Sequence, residues 1–321
     1  MKKFWIKAVL FVFGLSILLL LLDLLSARND DFSAFFGKIT NSSDYSRYTG
    51  NTGTTEILPC IAKAQWEDGC NKLIIGDSVC YLLYNDLQNV NQDYSIIGTN
   101  RAVTMTGQYI LAEQFLENHP QATDIYLILI LPSFDSYFDQ IYGYQYAVMP
   151  FVKTDTFALL EDSTIKQAED TYGEWFISKR AVELIDASCV NRKLYMNAMS
   201  KFGKNPQTGG DKVSDQTVLY LNKLANLCEE KKVTLHILPG PLIDTEERHA
   251  QEARQRQEFK DHGLYPLLEE YFNELSYYPP EQFRDDQIHL GGDYANQTEY
   301  NKKIMELQQK SGELSDLILT E

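Results

Sequence analysis

The stretch Asp124-Ile-Tyr-Leu-Ile-Leu-Ile-Leu131, closed by Pro132, constrains the fold more than any other part of the chain. A nearly unbroken apolar run has no polar face to give to water, so as a strand it must be covered on both sides. Central strands of parallel sheets, flanked by helices, have this character. Shorter runs of the same kind recur at Lys72–Ile75, Tyr94–Gly98 and Val233–Leu238, the last halted by Pro239. Between them apolar residues return at helical intervals. Val79–Leu87 is one such segment, and Gly107–Asn118 is another, with Ile110, Leu111, Phe115 and Leu116 on one face. A third starts at the capping residue Ser214 and runs to Glu230, followed by a charged helical stretch from Glu246 to Leu275 and a final helix to about Lys310. Strands alternating with helices predict an α/β fold with a central parallel sheet and helices on both faces, whose sites gather at the carboxyl ends of the strands.

The two ends and one interior segment do not follow this rhythm. Lys2, Lys3 and Lys7 precede an apolar run from Ala8 to Leu22, which predicts a membrane helix whose start stays in the cytoplasm while the remainder is exported. A cleaved signal peptide is the other reading of so short a run. Cutting after Ala27 would put Leu25 where a small residue is needed, so an uncleaved anchor is expected. The expected organisation is an anchor over residues 1–28, a stalk and lead-in loop over 29–70, the α/β body over 71–310, and a tail over 311–321. An aromatic-rich and then helical insertion interrupts the body at about 135–212.

Charge excludes one class of partner. With 45 acidic against 29 basic residues and a net charge of -16, the chain lacks the clustered Lys and Arg that hold a phosphate backbone, so no nucleic acid is expected. The 20 tyrosines suit an aromatic-lined cleft and hint at carbohydrate. None of the five cysteines, at positions 60, 70, 80, 189 and 228, pairs at metal-ligand spacing, and no metal or other cofactor is expected. Cys60 and Cys70 are candidates for a bridge in an exported chain, although an odd count leaves at least one thiol over.

Two short motifs carry chemistry. Gly76-Asp77-Ser78 falls where the first strand gives way to a helix, so the Ser78 hydroxyl is exposed and helix amides able to receive an oxyanion lie close. Alone, this is equally a turn in which Asp77 or Ser78 caps the helix. Asp286-Gln-Ile-His289 lies far along the chain, beyond the last strand, and puts a carboxylate and an imidazole in one loop. A serine needs an imidazole to take its proton, and the imidazole needs a carboxylate to fix its tautomer and stabilise its cation. Ser78, His289 and Asp286 therefore form a candidate triad.

Taken together, the order Gly-Asp-Ser after the first strand and Asp-x-x-His before the last helix resembles the SGNH/GDSL hydrolase superfamily over roughly residues 71–310, outside the insertion. The resemblance implies a three-layer α/β/α sandwich and an esterase, lipase, thioesterase or O-acyltransferase, with Ser78 as nucleophile, His289 as general base and acid, and Asp286 as its orienter. Gly76 and Asp77 support the motif, and the Ser78 amide would be one oxyanion donor. In such proteins an Asn and a Gly follow the second strand, and Thr99–Tyr109 resembles that stretch with extra residues, which implies Gly107 as the oxyanion glycine. The usual Gly-x-Asn-Asp after the third strand is missing. Leu131-Pro-Ser-Phe-Asp135 stands there, so Asn100 or Ser133 would have to supply the side-chain donor. The stretch Thr99–Tyr109 is also similar to membrane-anchored bacterial proteins of this type that act beside membrane-bound O-acyltransferases. That likeness implies an acyl ester or glycan substrate and O-acetyl groups of a cell-surface polysaccharide. A lipase or thioesterase, or a non-catalytic partner of such an acyltransferase, is the alternative.

Overall fold

The computed structural model describes residues 2–26, 53–84, 94–99, 103–139, 143–188, 192–202 and 211–291. The chain divides into two compact units, one made of Met1–Leu58 and Phe138–Gln207, the other of Pro59–Tyr137 and Thr208–Glu321.

Helix α1 (Lys2–Ser26) belongs to the first unit and is apolar all round, with a mean hydropathy of 2.5 over Lys3–Leu22. Its 25 residues span roughly 37 Å at the α-helical rise, longer than a hydrocarbon core of about 30 Å. It is long and apolar enough to cross a membrane, a criterion that signal sequences also meet. The rest of this unit is the predicted insertion region, built from short helices around buried aromatic rings. Phe138, Tyr144, Phe151 and Tyr172 are fully enclosed. Two of them satisfy their hydroxyls on backbone carbonyls, Tyr144 on Phe176 at 2.7 Å and Tyr172 on Asp139 at 2.6 Å, so the large rings are buried without stranding a polar atom.

In the second unit the chain enters through helix α2 (Gly53–Ala64), which begins on the other side of the division. A loop is expected here, and the structure corrects that. Ile57, Ile61 and Ala64 recur at four- and three-residue intervals and are all buried, a helical stripe that Pro59 does not break. Lys63 Nζ donates to the Ile96 carbonyl at 3.0 Å, which holds the helix along the second strand. Cys60 directs its thiol to the Gly98 carbonyl, and Cys60 and Cys70 are thiols rather than a bridge.

Four parallel strands follow, β1 (Lys72–Gly76), β2 (Tyr94–Gly98), β3 (Asp124–Leu129) and β4 (Thr234–Pro239), in the order β2-β1-β3-β4. The expected α/β class and central parallel sheet are present. Ile125 to Leu129 are at most 2% exposed, as the apolar run requires. Each such aliphatic side chain contributes about 1.5–3 kcal/mol when fully buried. Register sets Gly76 level with Gly98 on one side and Ile128 on the other, so the carboxyl ends of three strands lie in one row. Helix α3 (Ser78–Tyr84) springs from β1, α4 (Thr104–Asn118) follows β2, and a short turn α5 (Leu131–Phe134) closes β3. Ser214 caps the 215–231 helix as expected, accepting from the Thr217 amide at 3.0 Å. The charged stretch after β4 is two helices, Glu246–Asp261 and Tyr265–Asn273, broken at Gly263, whose φ of +72° suits glycine. The final helix predicted to about Lys310, and residues 29–52 of the stalk and lead-in loop expected over 29–70, lie outside the described residues.

Candidate active site

The serine's position follows from a turn of one residue. β1 ends at Gly76 and α3 begins at Ser78, leaving only Asp77 between them. A Cβ on Gly76 would stand 2.4 Å from both the Cys80 Cβ and the Ile128 carbonyl oxygen. A Cβ on Gly98 would meet the Tyr81 backbone at 2.8–2.9 Å. Two glycines on neighbouring strands thus let the first turn of α3 rest directly on the strand ends. Gly98 is a site residue that sequence reasoning missed, and its signal was its place at the end of the second strand.

Asp77 points inward and is 7% exposed. Its Oδ1 accepts from the Val79 amide at 3.0 Å, capping α3, and its Oδ2 accepts from the Ser133 hydroxyl at 2.6 Å. Burial pushes its carboxyl up from the usual range, against the hydrogen bonds from Ser133 and Val79 that pull it down. Ser78 itself is partly exposed, and its amide is among those that a helix leaves without an intrahelical acceptor.

The partner loop is a tight hairpin. Phe283 and Leu290 bridge antiparallel, Arg284 N–H donates to the His289 carbonyl at 2.8 Å, and Gln287 takes a left-handed φ of 57° at the bend. Asp286 Oδ1 accepts from the Ile288 and His289 amides at 2.9 and 3.0 Å, which fixes the carboxylate before it does anything else. Its Oδ2 then lies 2.8 Å from His289 Nδ1, and His289 Nε2 lies 2.8 Å from Ser78 Oγ. With Nδ1–H donating to a carboxylate, Nε2 is the ring nitrogen left to accept the serine proton. Partial burial raises the Asp286 carboxyl, but the His289 side chain and the two amides outweigh it and hold it at about 2. It stays ionised wherever the imidazole could use it. The two distant motifs therefore meet in one hydrogen-bonded line.

Not every expected residue takes its expected place. Gly107 is corrected, because it lies inside α4 with its N–H donating to the Val103 carbonyl at 3.2 Å, so that amide has no hydrogen left for an oxyanion. The extra residues after the second strand carried it one turn into the helix. Ser133 is corrected likewise as an oxyanion donor, since its proton is committed to Asp77. Asn100 lies outside the described residues. Cys80 is fully buried, and desolvation pushes its thiol well above its usual range, which leaves it inert beside Ser78. His119 and His236 are core histidines held by Asp68 and Asp124 at 3.0 and 3.3 Å.

Two recesses flank the line. Beside His289 an apolar wall is formed by Val79, Leu82, Leu83, Pro241 and Ile288. Beside Asp77 a small recess of mixed character is lined by Val103, Met105 and Leu129 together with Thr104, Gln108, Ser133 and Ser136. There Thr104 holds a φ of 58° at the start of α4, a conformation that costs a β-branched residue roughly 1–3 kcal/mol. Among the described residues no group of three or more His, Cys, Asp or Glu side chains could hold a metal ion. No family model matches the chain, and no match is found among curated proteins or solved structures.

Proposed function

We propose that this chain is a serine-dependent acyl-ester enzyme with an SGNH-like body, forming an acyl-Ser78 intermediate. The observation that carries the reading is the relay Ser78 Oγ, His289 Nε2, His289 Nδ1, Asp286 Oδ2, with both contacts at 2.8 Å. In this mechanism His289 takes the Ser78 proton as Oγ attacks the ester carbonyl carbon, and Asp286 stabilises the resulting imidazolium. The Ser78 amide faces the oxyanion, and loss of one such donor costs about 3 kcal/mol in a related setting. Collapse of the tetrahedral species expels the alcohol, which takes the proton back from His289. Water or an acceptor hydroxyl then attacks acyl-Ser78 by the same route in reverse, giving hydrolysis or transfer.

The apolar N-terminal helix and the basic residues before it support a body anchored outside the cytoplasmic membrane. Such a site would act on O-acetyl groups of a cell-surface glycan, beside a membrane-bound O-acyltransferase. A lipase or thioesterase is the second reading, favoured by the apolar wall beside His289. Full-length protein in detergent, treated with a fluorophosphonate and assayed with p-nitrophenyl esters of rising chain length, tests both. The proposal requires labelling and turnover that vanish in Ser78→Ala. Rates that fall steeply beyond acetyl favour the O-acetyl reading, and rates that climb with chain length favour the lipase. Labelling and turnover that persist in Ser78→Ala overturn Ser78 as the nucleophile, and wild-type protein that neither labels nor turns over leaves only the non-catalytic partner.

A further inference from the structure

The residue that would be an asparagine in the resemblance's third motif is Ser133, and its hydroxyl has a different employer. Ser133 sits in turn α5, its amide donating to the Ile130 carbonyl at 2.9 Å and its Oγ accepting from the Ile130 amide at 3.4 Å. From there it donates to Asp77 Oδ2 at 2.6 Å, while the other Asp77 oxygen holds the first turn of α3 through Val79. Asp77 is the whole of the connection between β1 and the helix that presents Ser78. The chain of contacts therefore runs from the end of β3, through one buried carboxylate, to the amides next to the nucleophile. Charge-assisted hydrogen bonds of this length are the strong ones, and the Asp77 end of this one is buried.

We propose that Ser133 and Asp77 are positioning residues that hold the Ser78 hydroxyl and amide in attack geometry, Ser133 acting through Asp77 and never touching substrate. The proposal rests on the acyl-ester reading above. A small misplacement of a reacting group costs rate and leaves ground-state binding alone. In full-length protein with p-nitrophenyl acetate, Ser133→Ala should lower kcat on the order of tenfold with KM unchanged, and Ser133→Thr, which keeps the hydroxyl, should restore it. Fluorophosphonate should still label Ser78 in each variant, which separates this idea from the triad itself. Wild-type kcat in Ser133→Ala overturns the proposal, as does a loss carried by KM or one that Thr does not restore. If Ser133→Ala does not fold by circular dichroism, Ser133→Cys replaces it, its thiol being a weak donor. The same fall in kcat is then expected, and wild-type kcat again overturns the idea.

Discussion

The turn that carries Ser78 and the hairpin that carries Asp286 and His289 meet across 2.8 Å, yet they are held in opposite ways. Close packing holds the first, where a missing Cβ at Gly76 lets helix and strand backbones approach and a carboxylate is sealed inside. Hydrogen bonds hold the second, in a loop so exposed that 45% of the Asp286 side chain faces solvent. The proposed nucleophile thus sits on the packed strand-to-helix turn, while the proposed proton carrier, His289, is oriented by a carboxylate that faces solvent. A buried arm resists changes of shape, and an exposed arm resists changes of shape less than changes of charge.

The largest expected effect falls on the proposed nucleophile. Ser78→Ala should lower p-nitrophenyl acetate turnover by on the order of 10³-fold or more while leaving the unfolding midpoint nearly unmoved, since its side chain is only partly buried. Asp286→Asn comes next. The amide can still accept from the Ile288 and His289 N–H groups, so the hairpin should fold, but it cannot hold an imidazolium. Turnover should then drop by roughly 10³–10⁴-fold, as the removal of the same partner does in other triads. A full-activity Asp286→Asn would break the contrast between the two arms.

Gly76→Ala probes the packed arm through stability. A Cβ at 2.4 Å from a backbone carbonyl oxygen cannot be relieved by a rotamer change, and about 3 kcal/mol of lost stability is expected in denaturant unfolding. A loss below about 1 kcal/mol would mean that α3 can lift from the sheet at little cost.

The smallest effects are the pH dependences, and they have opposite signs. Asp286 has its carboxyl depressed to about 2, so its native contacts add stability above the unfolded value of 3.8 that is lost as pH falls through about 2. Asp77 has its carboxyl raised by burial, so the native state is favoured below 3.8 and that advantage fades as pH rises through the higher folded value. Against wild type, Asp77→Asn should therefore gain relative stability between pH 3 and pH 7, and Asp286→Asn should lose it. Guanidinium midpoints at the two pH values check this, and parallel slopes would contradict it.

Much of the sheet was legible because burial on both faces leaves a compositional mark. The run through Leu129 announced a central strand, and Gly-Asp-Ser and Asp-x-x-His marked the two places that the fold brings within 2.8 Å of each other. Helix α2 was missed because polar turn-like residues before it and Pro59 within it masked the spacing of Ile57, Ile61 and Ala64. Gly107 was misplaced because motif spacing was read along the chain, while the start of α4 at Thr104 decides which amides a helix leaves open.

Residue types and their order along the chain determined the alternation of strand and helix, the apolar N-terminal helix and the chemical identity of the candidate triad, since each depends on local pattern or on the nature of one side chain. Only the tertiary structure decided that Ser133 spends its proton on Asp77, that Gly98 must lack a Cβ, and that His289 turns Nε2 toward Ser78 across 211 positions of sequence. Those facts are distances between segments far apart in the chain, and no local pattern encodes a distance until the sheet has brought the strand ends into line.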